Sequence, residues 1–120
     1  MRGNQSPLGG AITHRKISAA TTNGTSVKAG QGNLFSIHAH NTNASARYLK
    51  FYDKASAPTV GTDTPVLTLY IGATSGVRDI VFPEGMAFPL GIAYAITANQ
   101  ADSDTTAIGA NEVVMSITYL

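Results

Sequence analysis

The sequence predicts an all-β protein, an antiparallel β-sandwich of about seven or eight strands. Short segments alternate apolar and polar residues with a period of two, which sends successive side chains to opposite faces of a strand. Gly, Pro, Asn and Asp separate these segments at regular intervals, and no helical period of useful length occurs. The connections could be jelly-roll-like or Ig-like, because the pattern does not distinguish the two topologies.

Residues 1–24 are predicted to form an extended N-terminal arm, which precedes a single β-sandwich domain over residues 25–120. Gly, Pro, Ser, Asn and Thr dominate this stretch without a clear period, so it cannot bury enough apolar surface to fold alone. We expect the arm to be mobile in the free protein and to become ordered on a partner. Its candidate contacts with a partner or another subunit are Leu8, Ile12, Arg15 and Lys16.

Residues 33–54 predict a β-hairpin at the centre of the domain. The first strand alternates apolar and polar residues over 33–40, and residues 41–45 supply Asn and Ser, which favour turns. The second strand alternates again, and in the predicted register Phe51 faces the core while Tyr52 faces away from it.

The same alternation predicts further strands before and after the hairpin. They are Thr25–Ala29, Pro65–Ile71, Val77–Phe82, Gly91–Asn99 and Glu112–Leu120, with a break at Pro83–Gly85 and a short segment at 86–91. The predicted core is Phe35, Ile37, Leu49, Phe51, Leu67, Leu69, Ile80, Phe82, Ile92, Tyr94, Ile96, Val113, Met115 and Ile117. Some strands are apolar on both faces, as at Val113 and Val114, which indicates cover on both faces and favours a homo-oligomer.

Charged residues are scarce in this chain. It has eight Lys or Arg and seven Asp or Glu in 120 residues, with a formal net charge of +1, so strong electrostatic binding of nucleic acid is not indicated. The chain has no cysteine, no apolar run long enough for a membrane span, and no apolar stretch typical of a signal peptide. We therefore expect synthesis in a cytoplasm and no membrane partner.

Few residues suggest catalysis or metal binding. His38 and His40 share a strand face at a spacing that can bind zinc or copper, but no third ligand completes the set. Residues 102–105 resemble a fragment of a calcium loop without its Gly and closing Glu, and such residues more often cap turns. No catalytic or phosphate-binding motif occurs, so we expect neither an enzyme nor a cofactor.

One strand of the hairpin combines aromatic and basic residues. Tyr48, Lys50 and Tyr52 share a face, which could stack a sugar or single-stranded nucleic acid. The alternative is a half-buried sheet face with the lysine stem packed between two rings.

Two longer stretches resemble proteins of a known group. The phrases KFYDKASAPTVGTDTPV, FPEGMAFPLGIAYAIT and ADSDTT, which lie between Tyr48 and the C-terminus, resemble small virion proteins of tailed bacteriophages. Among these are capsid decoration (cement) proteins with a β-sandwich or jelly-roll-like fold. The resemblance supplies no catalytic residues to assign.

The resemblance implies a non-enzymatic virion protein that decorates and stabilises the outside of the capsid. Its partners would be the major capsid protein and copies of itself, and a trimer would suit threefold capsid sites. On this interpretation the arm becomes ordered on the capsid. The alternatives are a head-fibre or tail subunit of the virion, or a carbohydrate-binding module that uses the tyrosine face.

Overall fold

Eight strands form two four-stranded antiparallel sheets in the computed structural model, which describes residues 10–120. The strands are β1 (Ile12–Ile17), β2 (Thr25–Lys28), β3 (Gly32–Asn41), β4 (Arg47–Asp53), β5 (Leu67–Ile71), β6 (Gly76–Phe88), β7 (Ile92–Thr97) and β8 (Val113–Tyr119). One sheet has the order β1-β8-β3-β6 and the other β2-β7-β4-β5. The predicted all-β sandwich is confirmed.

The strand pairing is nested about the connection between β4 and β5. Strand β4 pairs with β5, β3 with β6, β2 with β7 and β1 with β8, and the chain crosses between the two sheets as it winds inward. Eight antiparallel strands paired in this way in two sheets form a jelly roll. In an Ig domain the first two strands share a sheet, whereas β1 and β2 lie in different sheets here. The topology that the sequence left open is therefore jelly-roll.

Apolar side chains from both sheets fill the space between them. The buried set includes Leu34, Ile37, Leu49, Phe51, Leu69, Ile71, Phe88, Ile92, Tyr94, Ile96, Val113, Met115 and Ile117. The ring of Phe51 lies 6.4 Å from that of Phe88 and 6.1 Å from that of Tyr94, measured between centroids. Most of the predicted core is therefore confirmed. Three predicted core residues are only half-buried against this set: Leu67, Ile80 and Phe82.

A bulge changes the phase of alternation at the start of β3. Leu34 and Ser36 of β3 pair with the adjacent residues 119 and 118 of β8, so β3 carries one extra residue between them. An extra residue in one strand shifts which side chains face inward. Leu34 is consequently buried and Phe35 is only half-buried, so the prediction of Phe35 as a core residue was wrong. Strand β6 also continues through the predicted break at Pro83–Gly85.

The outer face of the sheet β2-β7-β4-β5 is covered by the chain's own loops. Tyr52 packs with Ala93, Ala95 and Val60 of the β4–β5 loop, and the Lys50 Nζ atom donates to the backbone oxygen of Ala101, 2.6 Å away. Every residue of β7 is buried as a result. The predicted register of Phe51 and Tyr52 is confirmed, but the expectation that Tyr52 lies outside the packed interior was wrong.

The structure differs from the predicted arm at its C-terminal half. Residues 12–17 form β1 and pair with β8, from Ile12 opposite Tyr119 to Ile17 opposite Val114. Ser18 and Asn23 are buried just beyond it, with hydrogen bonds to nearby backbone. The composition of residues 1–24 indicated an arm. The backbone N–H and C=O groups of β1 and β8 nevertheless pair with each other, and this pairing depends little on the side chains of β1. Leu8 lies outside the described residues.

We expect Phe51→Ala and Tyr52→Ala each to lower the free energy of unfolding by about 3–5 kcal/mol, the usual cost of truncating a buried ring. Tyr52→Phe should leave stability unchanged or raise it by about 1–3 kcal/mol. The reason is that the buried Tyr52 hydroxyl has no hydrogen-bond partner within residues 10–120. Urea unfolding of the three variants tests this. A neutral Tyr52→Ala would mean that the β4–β5 loop does not close over the ring.

A chain that starts at Thr25 should be less stable than the full chain. It loses β1, exposes the edge of β8, and loses the buried side chains of Ser18 and Asn23. We expect a lower melting temperature and faster amide exchange in β8 than in β4, which keeps both neighbours. An unchanged melting temperature would contradict the assignment of β1 to the sheet.

Candidate functional site

The sheet β1-β8-β3-β6 has an outer face that no loop of residues 10–120 covers. Apolar side chains are exposed near its edges: Val81 at 71%, Val77 at 53% and Ile17 at 40%. We call this surface the open face. Cross-strand register arranges it in three rows: Thr13, Thr118, Ser36, Val81; Arg15, Ser116, His38, Asp79; and Ile17, Val114, His40, Val77.

The middle row carries charges of opposite sign at its two ends. Arg15 is exposed on the edge strand β1, and Asp79 is exposed on the edge strand β6. The Nδ1 atom of His38 is paired with the Asp79 carboxylate, and both side chains are more than half exposed. Ser116 lies between Arg15 and His38. The open face is therefore polar along its centre and apolar near its corners, without a large excess of one charge.

The histidines singled out by the sequence do lie on the open face, in neighbouring rows. His38 pairs with Asp79, and no group of three or more His, Cys, Asp or Glu side chains that could hold a metal occurs in residues 10–120. The described geometry therefore supports no metal site. The sequence could not indicate Asp79, because it lies 41 residues from His38 and meets it only through the β3–β6 pairing.

The predicted stacking face of Tyr48, Lys50 and Tyr52 is not a surface. Burial lowers the pKa of Lys50, an effect that the carboxylates of Asp104 and Asp102 oppose. Burial also raises the pKa of Tyr52. With Lys50 and Tyr52 beneath the loops, the three side chains cannot stack a ligand together, so this prediction was wrong.

A smaller aromatic pair remains accessible at the β4–β5 edge of the covered sheet. Tyr70 is 55% exposed and Tyr48 is half-buried, and their ring centroids lie 5.7 Å apart with the planes tilted by 59°. The sequence indicated only Tyr48, since its partner comes from the neighbouring strand.

The segment 102–105 closes the β7–β8 loop. The Asp104 carboxylate accepts hydrogen bonds from the backbone N–H and side chain of both Asn99 and Thr106. Burial raises the pKa of Asp104, but these four hydrogen bonds together hold it below its ordinary value. The carboxylate that suggested calcium binding therefore acts as a loop cap.

The predicted contact residues of the arm are separated by the structure. Arg15 lies in the middle row of the open face, and Ile12 is 40% exposed at the start of β1. Lys16 points to the opposite side of β1 from Arg15 and is half-buried. Of these three, only Arg15 belongs to the open face.

A second charged cluster fixes the loops at one end of the sandwich. Glu112 accepts hydrogen bonds from Arg47 Nε at 2.9 Å and from Asn43 Nδ2 at 2.6 Å. The Arg47 hydrogen bond is the main cause that holds the pKa of Glu112 below its ordinary value. Both charged side chains are largely buried, at 13% and 17% exposed, so the pair joins the start of β4 to the start of β8. Its role is structural.

Comparisons with known proteins give one structural likeness and no family. No protein-family model matches the chain, and no curated protein matches it. Among solved structures, the coat protein of Tobacco streak virus is similar at 10% sequence identity, over 95% of this chain and 89% of that one, with a TM-score of 0.36. A likeness at this level carries no conclusion about function. No helix in residues 10–120 is long and apolar enough to cross a membrane.

We expect Glu112→Gln to lower the free energy of unfolding by about 1–3 kcal/mol at neutral pH, the range for buried charge-assisted hydrogen bonds. Because the folded-state pKa is depressed, this contribution is complete above the ordinary pKa of about 4.3 and is lost as pH falls through the lower folded-state pKa. Urea unfolding across the acid range should show the two proteins converging. Glu84→Gln, at an exposed position, is the control and should show little difference.

Proposed function

We propose that this chain is a non-enzymatic structural protein of a phage virion that decorates and stabilises the outside of the capsid. The observation that carries the proposal is that the chain's own loops cover the outer face of one sheet but not that of the other. Loops cover the sheet β2-β7-β4-β5, while the open face leaves exposed valines beside a polar row with opposite charges at its two ends. A sheet face that the chain's own loops leave uncovered can contact another protein, and its exposed valines would be removed from water there.

Two further features support an assembly role over a catalytic one. Asp79 orients His38, and Ser116 is the cross-strand neighbour of His38, but within residues 10–120 no hydrogen bond joins Ser116 to His38 and the row lies on an open sheet face rather than in a cleft. The titratable side chains with shifted pKa values mostly hold loops or lie against the packed interior. The jelly roll also occurs in viral capsid domains, although a fold by itself does not determine function. The sequence resemblance to phage virion proteins selects among the functions that this fold can support.

The proposed partners on the capsid surface are the major capsid protein and other copies of this chain, and a trimer would suit threefold capsid sites. A head-fibre or tail subunit is the alternative within the virion, since it would expose the same kind of face. A carbohydrate-binding module is the alternative from another class. It is favoured by the accessible Tyr48–Tyr70 pair, because tyrosine rings can stack on sugars through their apolar faces.

Two assays on the same protein separate these functions. We expect the purified chain to bind capsids that lack it, with saturation at a fixed number of copies per particle, and to show no specific signal on a glycan array. Tyr70→Ser should leave capsid binding unchanged, because the ring lies on the edge of the covered sheet. Specific glycan binding that Tyr70→Ser abolishes, together with no capsid binding, would contradict decoration.

A further inference from the structure

We propose that the open face binds the open face of a second copy of this chain, as an isologous pair with its two-fold axis parallel to the strands. The axis would lie between β8 and β3, the two central strands of the sheet. This pairing is a property of the isolated chain and does not depend on the virion role.

The order of residues in each row makes the open face complementary to itself. A two-fold axis parallel to the strands keeps each row in place and lays β1 of one copy over β6 of the other. Arg15 of each copy then faces Asp79 of the other, and Ile17 faces Val77. In the centre Ser116 faces His38. One oxygen of the Asp79 carboxylate pairs with His38 within the copy, which leaves the other for the guanidinium across the interface.

Charge selects this axis over the other two-fold axis that could bring the faces together. A two-fold axis that lies in the interface plane perpendicular to the strands would place each strand over the equivalent strand of the second copy. Arg15 would then face Arg15 and Asp79 would face Asp79 across the interface. Like charges placed opposite each other in an interface disfavour that arrangement, whereas the parallel axis gives two attractive contacts. Aligned sheets pack with a rotation of about 30°, which the long arginine side chain can span.

The size of the face predicts a weak pair. Four strands about 4.8 Å apart and three rows about 6.8 Å apart give a face of about 400 Å² per copy. The total of about 800 Å² is below the roughly 1,200–2,000 Å² of stable complexes, so we expect dimerisation only at high concentration. Copies held side by side on a larger particle would pair much more readily through effective concentration.

Charge reversal at the two ends of the row tests the pairing directly. We expect sedimentation equilibrium to show a monomer–dimer equilibrium for the full chain. Arg15→Glu and Asp79→Arg should each raise the dimer dissociation constant by about tenfold or more, because each places two like-charge contacts in the interface. Arg78→Glu is the matched control, since Arg78 is exposed on β6 but lies off the open face, and it should leave the constant within about threefold.

Mixing the two single variants gives the sharpest result. In a mixed dimer of Arg15→Glu with Asp79→Arg both contacts again join opposite charges, so an equimolar mixture should dimerise although neither variant does so alone. A variant that failed to fold could not be rescued in this way. A strictly monomeric full chain at millimolar concentration, or a dimer that neither substitution weakens, overturns the proposal.

Site-specific cross-linking gives a second readout. Ile17→Cys and Val77→Cys, mixed as single variants, should be joined into a dimer by a short bifunctional thiol reagent that spans about 10 Å, the separation of sheets packed face to face, because the chain has no other cysteine. Each copy then carries a single cysteine, so a cross-link can form only between copies. A mixture of Ile17→Cys with Arg78→Cys is the control, because Arg78 lies off the open face. If the first mixture cross-links no faster than the control, the proposal is wrong.

Discussion

The structure depends on covering one sheet on both of its faces. Strand β7 is apolar on both sides, with Ile92, Tyr94 and Ile96 directed into the core and Ala93 and Ala95 directed outward, and all are buried. A strand with this composition is stable only where both faces are removed from water. The β4–β5 and β7–β8 loops cover the outer face of this sheet, so the chain buries both faces of the sheet without a partner.

Buried polar groups fix several of the segments that connect the strands. Ser18 donates to the backbone oxygen of Gly109 and accepts from the backbone of Glu112 and Val113, which ties the chain after β1 to the end of the β7–β8 loop. Asn41 likewise binds the β3–β4 turn and the start of the β5–β6 turn. Buried polar atoms without partners are costly, so these satisfied networks favour one loop arrangement over others.

Closure of one sheet leaves the other as the surface available for recognition. The open face has mainly Ser, Thr and His side chains in its centre, valines near its corners and charges of opposite sign at the two ends of one row. A surface of this kind gives specificity through register, because its charges stabilise one alignment of two contacting faces and destabilise others. The same low charge that argues against nucleic-acid binding therefore suits contact between protein copies.

Period-two alternation predicted the class of fold, most strands and most of the core, because it reports directly on the local pleat of a strand. It placed Phe51 and Tyr52 on opposite faces and His38 and His40 on one face, as the structure has them. Alternation did not predict three features of the packed fold: Tyr52 is covered, a bulge turns Leu34 inward, and residues 12–17 complete a sheet. These outcomes depend on which distant segments become neighbours: Arg47 meets Glu112 across 65 residues, and β1 meets β8 across the whole chain. Local alternation carries no information about which distant strands pair. The jelly-roll strand order and the row from Arg15 to Asp79 could therefore be seen only in the packed sheets.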